Sequence, residues 1–116
     1  MSSRGDRELL LDMLEAIRRA DIYITNMGYG EFMTDVKTQD AVIRTLEILG
    51  EASKGISPAI KSTFSDVPWK RIAGLRDKLI HDYFGVNLDI VWEVVTLEIS
   101  TLAPQLSQIL ESQGIP

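Results

Sequence analysis

The residue types best suited to chemistry in this chain are crowded into one stretch, Gly74-Leu75-Arg76-Asp77-Lys78-Leu79-Ile80-His81-Asp82-Tyr83. His81 is the only histidine, and the chain has no cysteine. That leaves carboxylates as the only other strong metal ligands, so no metal centre and no cofactor are expected. No serine stands in a nucleophile-elbow pattern, and Gly28-Tyr29-Gly30 lacks the lysine and the preceding strand of a phosphate cradle. One imidazole with one guanidinium does suffice for metal-independent cleavage of RNA, because there the ribose 2′-hydroxyl is the nucleophile. His81 would move protons near neutral pH and Arg76 would hold the charge growing on the phosphate. Asp77, one turn before His81 on a helix, would orient the ring.

Plainer roles exist for the same residues. A lone histidine in a helical protein is commonly a hydrogen-bonded structural residue. Arg76 could pair with Glu47, Glu51 or a partner subunit, and Tyr83 could be a core aromatic. On a helical wheel Trp69, Ile72, Ala73, Ile80 and Tyr83 form one stripe, with Arg76 in its middle and His81 about 140° round from it. Side chains so far apart do not converge on one phosphate. Two copies of the helix meeting across a two-fold axis would bring both groups into a shared groove. Gly74, on His81's side, costs roughly 1 kcal/mol in mid-helix relative to alanine, which close approach of another backbone or a substrate would justify.

The elements that must position these groups read as helices. Leu10, Met13, Leu14, Ile17 and Ile24 recur at helical steps, and Gly28 reads as a left-handed cap before a loop through Glu31-Phe32-Met33. Asp35 or Thr38 opens a second helix to about Lys54, with Val42, Thr45, Leu46, Leu49 and Ala52 inward. Arg44, Glu47, Glu51 and Lys54 fall on its other side, as a solvated face or as the lining of a site. Ser57-Pro58 starts a short helix, and Asp66 caps a central helix that runs from Pro68-Trp69 to Phe84 and stops at Gly85. Asn87 caps the last segment, Leu88 to about Gln113, whose apolar surface is wider than one face and which Pro104 kinks or breaks. No period-two pattern occurs. The expectation is one all-α domain over residues 1–116, a bundle of four main helices plus a short one.

The net charge of −5 argues against a general nucleic-acid binder and leaves room only for a local basic site. The longest uncharged run, residues 99–110, is too short and polar to span a bilayer, so no membrane association is expected. The cysteine-free composition and the polar first residues predict a cytoplasmic protein without a signal peptide.

Arg76-Asp77-Lys78-Leu79-Ile80-His81 resembles the Arg-polar-x-x-x-His motif of HEPN domains, and Tyr83 extends it to Arg-x4-His-x-Tyr. The stretches at residues 38–44 and 46–52, with Pro68-Trp69 and Phe84-Gly85-Val86, are similar to the HepT-like toxin branch of that superfamily. The resemblance covers roughly residues 7–110. It departs from the common pattern in little beyond aspartate at position 77, where asparagine is frequent.

The resemblance implies a HEPN-like, homodimeric ribonuclease, the toxin of a toxin–antitoxin pair. Arg76, His81 and Asp77 map onto its catalytic positions. Gly74, Lys78, Glu51 and Arg44 are candidates for lining the groove. The implied partners are an RNA substrate and a cognate MntA-like nucleotidyltransferase antitoxin, which silences the toxin by attaching AMP to the tyrosine that maps onto Tyr83. That role asks for Tyr83 to be exposed at the groove edge. The competing reading is a non-catalytic helical dimer that docks the nucleotidyltransferase. A third is a nucleotide-sensing module that would hold a nucleotide on Arg76 without cutting RNA.

Overall fold

A computed structural model describes residues 5–82 and 85–112, without the side chains of residues 80–82. The first helix, α1 (Asp6–Tyr23), buries Leu10, Met13, Ala16, Ile17 and Ala20. Its Asp6 carboxylate accepts from the Ser57 N–H at 2.8 Å and from the Ser57 hydroxyl at 2.7 Å, tying the start of α1 to a turn far along the chain. The left-handed residue after α1 is Asn26, with φ 62°, and not Gly28. Gly28 is extended instead and opens α2 (Tyr29–Met33), where the sequence predicts a loop. The Glu31 carboxylate accepts from the Gly28 N–H at 2.8 Å, which satisfies one of the free donors of that helix start.

The longest helix, α3 (Val36–Lys54), is at the centre and packs on α1, α2 and the segment after residue 68. Asp35 caps it by accepting from the Thr38 N–H at 3.0 Å. Gln39 is buried and donates to the Phe32 carbonyl at 2.8 Å, so the strap formed by α2 is hydrogen-bonded to α3. A Cβ on Gly50 would lie 3.1 Å from the Ile72 carbonyl oxygen. Close backbone approach therefore occurs at Gly50. At Gly74 a Cβ would meet only the preceding turn of its own chain, at 3.4 Å from the Lys70 carbonyl, so among the described residues no other segment's backbone approaches Gly74.

Ser57 caps α4 (Pro58–Thr63) as expected. The predicted long central helix is broken. It is α5 (Trp69–Ala73), a turn at Gly74, and α6 (Leu75–Leu79), followed by the antiparallel pair β1 (Ile80–Asp82) and β2 (Gly85–Val86). Pro68, not Asp66, occupies the N-cap position of α5. Ile80, His81 and Asp82 are all weaker helix formers than the leucine, lysine and arginine before them. Gly85 adopts φ +102°, a conformation open to glycine and strained for other residues. The Asn87 N–H donates to the Leu79 carbonyl at 3.0 Å and closes the hairpin onto α6.

Asn87 caps α7 (Leu88–Glu93), with its side chain accepting from the Ile90 N–H at 3.2 Å. The chain then passes through a π-helical turn (Val94–Glu98) and a 3₁₀ turn (Ile99–Thr101) into α8 (Leu102–Ser112). Val91, Val95 and Ile99, all buried, are spaced by four residues, which overshoots an α-helical turn, and the wider π turn returns them to one line. Ile99 and Leu102 are spaced by three, the repeat at which a 3₁₀ turn eclipses side chains. The irregular winding thus follows the buried apolar line. Pro104, predicted to kink the segment, cannot bond to the Ser100 carbonyl, and the break lies just ahead of it. The architecture is all-α apart from the small hairpin. Among the described residues no helix is long and apolar enough to cross a membrane.

Candidate active site

The short helix α6 carries Arg76, Asp77 and Lys78 between the buried anchors Leu75 and Leu79. Arg76 does not sit within an apolar stripe. Its side chain is 64% exposed, because α6 is a separate short helix whose inward face is defined by Leu75 and Leu79. Asp77 is also exposed. The one-turn helical relation between Asp77 and His81 is absent, since His81 stands on β1 beyond the end of the helix. The His81 side chain and the whole of Tyr83 lie outside the described residues.

Arg76 approaches α3. Its Nε lies 3.8 Å from the Glu47 carboxylate, and Glu47 also stands 3.9 Å from the Arg44 guanidinium. Both separations exceed a hydrogen bond, so the pairing is loose and much of the donor fork of Arg76 stays open. Arg44, Glu47 and Glu51 line a cleft of about 280 Å³ between α1 and α3, together with Leu9, Asp12 and Ile48. Two of the expected groove residues, Arg44 and Glu51, are therefore brought together, with Arg76 against the same wall. Lys78 and Gly74 do not line that cleft.

Lys78 faces Glu98 of the π turn at 3.8 Å. Glu98 is held more firmly by Arg71, whose Nε and Nη2 donate to its two carboxylate oxygens at 2.6 and 2.7 Å. That fork-to-fork bond, followed by the charge of Lys78, holds the Glu98 carboxyl below the ordinary range despite partial burial.

The family described as ribonuclease HepT-like matches residues 13–109, a span that contains both Arg76 and His81. The chain belongs to the HepT-like ribonuclease family. A protein of Methanocaldococcus jannaschii named "Putative RNase" is 39% identical over 96% of this chain and 92% of its own length. A protein of Thermococcus cleftensis named "Probable ribonuclease HepT" is 40% identical over 91% of this chain and 96% of its own. A third, from Caldanaerobacter subterraneus and also named "Putative RNase", is 43% identical over 78% of this chain and 80% of its own. No solved structure matches the chain significantly.

In this HepT-like chain two carboxylates stand beside the cations of the motif helix without having been named as site residues from the sequence. Glu47 was visible on the stripe shared by Arg44 and Glu51, as a solvated face or a lining, and as a possible partner of Arg76. Glu98 was not legible at all, because its partner Arg71 is 27 residues away and α5 and the π turn meet only in the fold.

Depressed carboxylates, Glu98 among them, predict an acid dependence. Hydrogen bonds from Arg18 and Arg19 hold Glu15 at about 2 against an ordinary 4.5, and the Thr38 backbone and hydroxyl donors lower Asp35. Groups whose folded pKa is depressed contribute stability above the unfolded pKa and lose it as pH falls through the folded one. The urea midpoint is therefore expected to hold from neutrality down to about pH 5 and to fall between about 4.5 and about 2. Glu98→Gln should make that fall shallower, and an identical pH profile would contradict the role of the pair.

Proposed function

We propose that this chain is a ribonuclease that cuts RNA without a metal ion, using Arg76 and His81. The observation that carries the reading is the family match across residues 13–109, a span that includes the Arg76-to-His81 motif. The openness of Arg76, held only loosely by Glu47, supports it. An RNA phosphate would displace Glu47 and take the guanidinium fork in two parallel hydrogen bonds. The 2′-hydroxyl then attacks phosphorus and gives up its proton to an imidazole. The bond to the 5′-oxygen breaks as that oxygen takes a proton, leaving a 2′,3′-cyclic phosphate and a 5′-hydroxyl. A homodimer would place a His81 from each copy at one groove, one as base and one as acid. Leu97, an apolar side chain 67% exposed on the π turn, is a surface that a second copy would cover.

The finer reading is a toxin of a toxin–antitoxin pair, acting in the cytoplasm and silenced by a nucleotidyltransferase. That partner would transfer AMP from ATP to the Tyr83 hydroxyl, with pyrophosphate leaving. A phosphate fixed near Arg76 would compete with RNA for the guanidinium. The direct test is incubation of the purified chain with single-stranded RNA in excess EDTA. Cyclic-phosphate ends are expected, with an all-deoxy oligonucleotide of the same sequence left intact. Cleavage that needs added magnesium, or equal cutting of the DNA, would overturn the mechanism.

A further inference from the structure

A large open depression lies away from Arg76. It measures about 650 Å³ and is lined by Lys61, Lys70 and Arg71, with Ser65 and the Val67-to-Trp69 turn completing its walls. No carboxylate lines it, although the chain as a whole carries a net charge of −5. Neither Lys61 nor Lys70 has an ion-pair partner among the described residues. The wall is preformed. The Trp69 indole N–H donates to the Phe64 carbonyl at 3.0 Å, and the Trp69 backbone N–H donates to the Val67 carbonyl at 2.8 Å.

From these observations we propose that the cleft holds the phosphate backbone of single-stranded RNA at a contact site separate from the cutting motif. The proposal rests on the ribonuclease reading and extends it to how an acidic protein gains affinity for its substrate. The charge of the cleft favours RNA. Lys61 and Lys70 are the cations that it leaves open to an anion, whereas Arg71 is held by Glu98. Lys78 shares that carboxylate, and Arg76, two residues before it on α6, turns the other way toward Glu47. Lysines contact phosphates as point charges and carry no base preference, which suits a track along a backbone. An acidic peptide is less well served, because Val67 and Trp69 are buried and leave Pro68 as the one exposed apolar residue of the wall.

The test measures binding of a single-stranded RNA oligonucleotide across a salt series in a His81→Ala background, so that binding is read apart from cutting. Lys61→Ala/Lys70→Ala is expected to weaken binding about tenfold near 0.1 M salt and to flatten the slope of log affinity against log salt by about 1.4. Charge reversal to glutamate at both positions should weaken it further, and Lys37→Ala, exposed at the start of α3, should leave it as it was. Circular dichroism checks that the variants fold. Unchanged affinity and slope in the alanine pair overturns the cleft site, as does an equal loss in Lys37→Ala or a loss confined to an acidic peptide. If the wild type binds RNA through these lysines yet cuts none, the cleft stands and the nuclease reading fails. Cutting that is indifferent to the lysines has the opposite meaning.

Discussion

His81→Ala is expected to lower RNA cleavage by about 10²- to 10⁴-fold, the range that one positioned proton-transfer group supplies. The chain has no second imidazole and no thiol, so no neighbouring side chain can assume the role near neutral pH. The loss should appear in the rate at saturating RNA, since the imidazole acts in the bond-making step and not in holding the backbone. Added imidazole should restore part of the rate, which a merely misfolded variant would not show. Arg76→Lys is the companion measurement. It keeps the charge but loses the planar fork, so a partial loss is expected there and a larger one, about 10²- to 10³-fold, in Arg76→Ala. Cleavage by His81→Ala at the wild-type rate would remove His81 from the mechanism, and no cleavage by the wild type would leave a helical docking protein.

The largest expected effect on stability is at Phe32. Its ring is fully buried and lies 5.1 Å from the Trp92 ring, with Tyr29 set edge-on to the same indole at 6.4 Å. Its carbonyl receives the Gln39 amide, so this one residue of α2 supports both a ring cluster against α7 and a buried polar contact to α3. Phe32→Ala is expected to cost about 3–5 kcal/mol, read from the urea midpoint with an unchanged denaturant slope. A domain of this size has about 5–15 kcal/mol in total, so the variant should be partly unfolded under mild conditions. A change below about 1 kcal/mol would mean that α2 is a surface strap with little part in the core.

How much of this could be read beforehand depended on whether the deciding interaction was local. The caps at Asp35, Ser57 and Asn87 are contacts within three residues, and the sequence located Ser57 and Asn87 outright and Asp35 as one of two alternatives with Thr38. The inward faces of α1 and α3 were likewise set by their own spacing. The short helix α2 was not legible, because Phe32 is buried by Trp92, 60 residues on, and no periodicity can show in five positions. The break after Leu79 was missed for a related reason. The wheel gave Ile80 and Tyr83 helical places, whereas the pairing of β1 with β2 takes Ile80 to Asp82 out of the helix. With that, the angular argument about Arg76 and His81 lost its basis, although the residue types and their family pattern did not.

The winding between Val94 and Thr101 bears on which changes of length the chain can tolerate. Removing one residue from the wide turn would let it close into regular helix and rotate everything beyond it by about 100° relative to everything before. Either Glu98 would swing away from Arg71 and Lys78, or Ile99, Leu102, Leu106 and Ile109 would leave the interior. Leu97, exposed in the single chain, should accept replacement without loss of that chain's fold, while its deletion is ruinous. At this one position, then, the fold depends on the presence of a residue more than on its type.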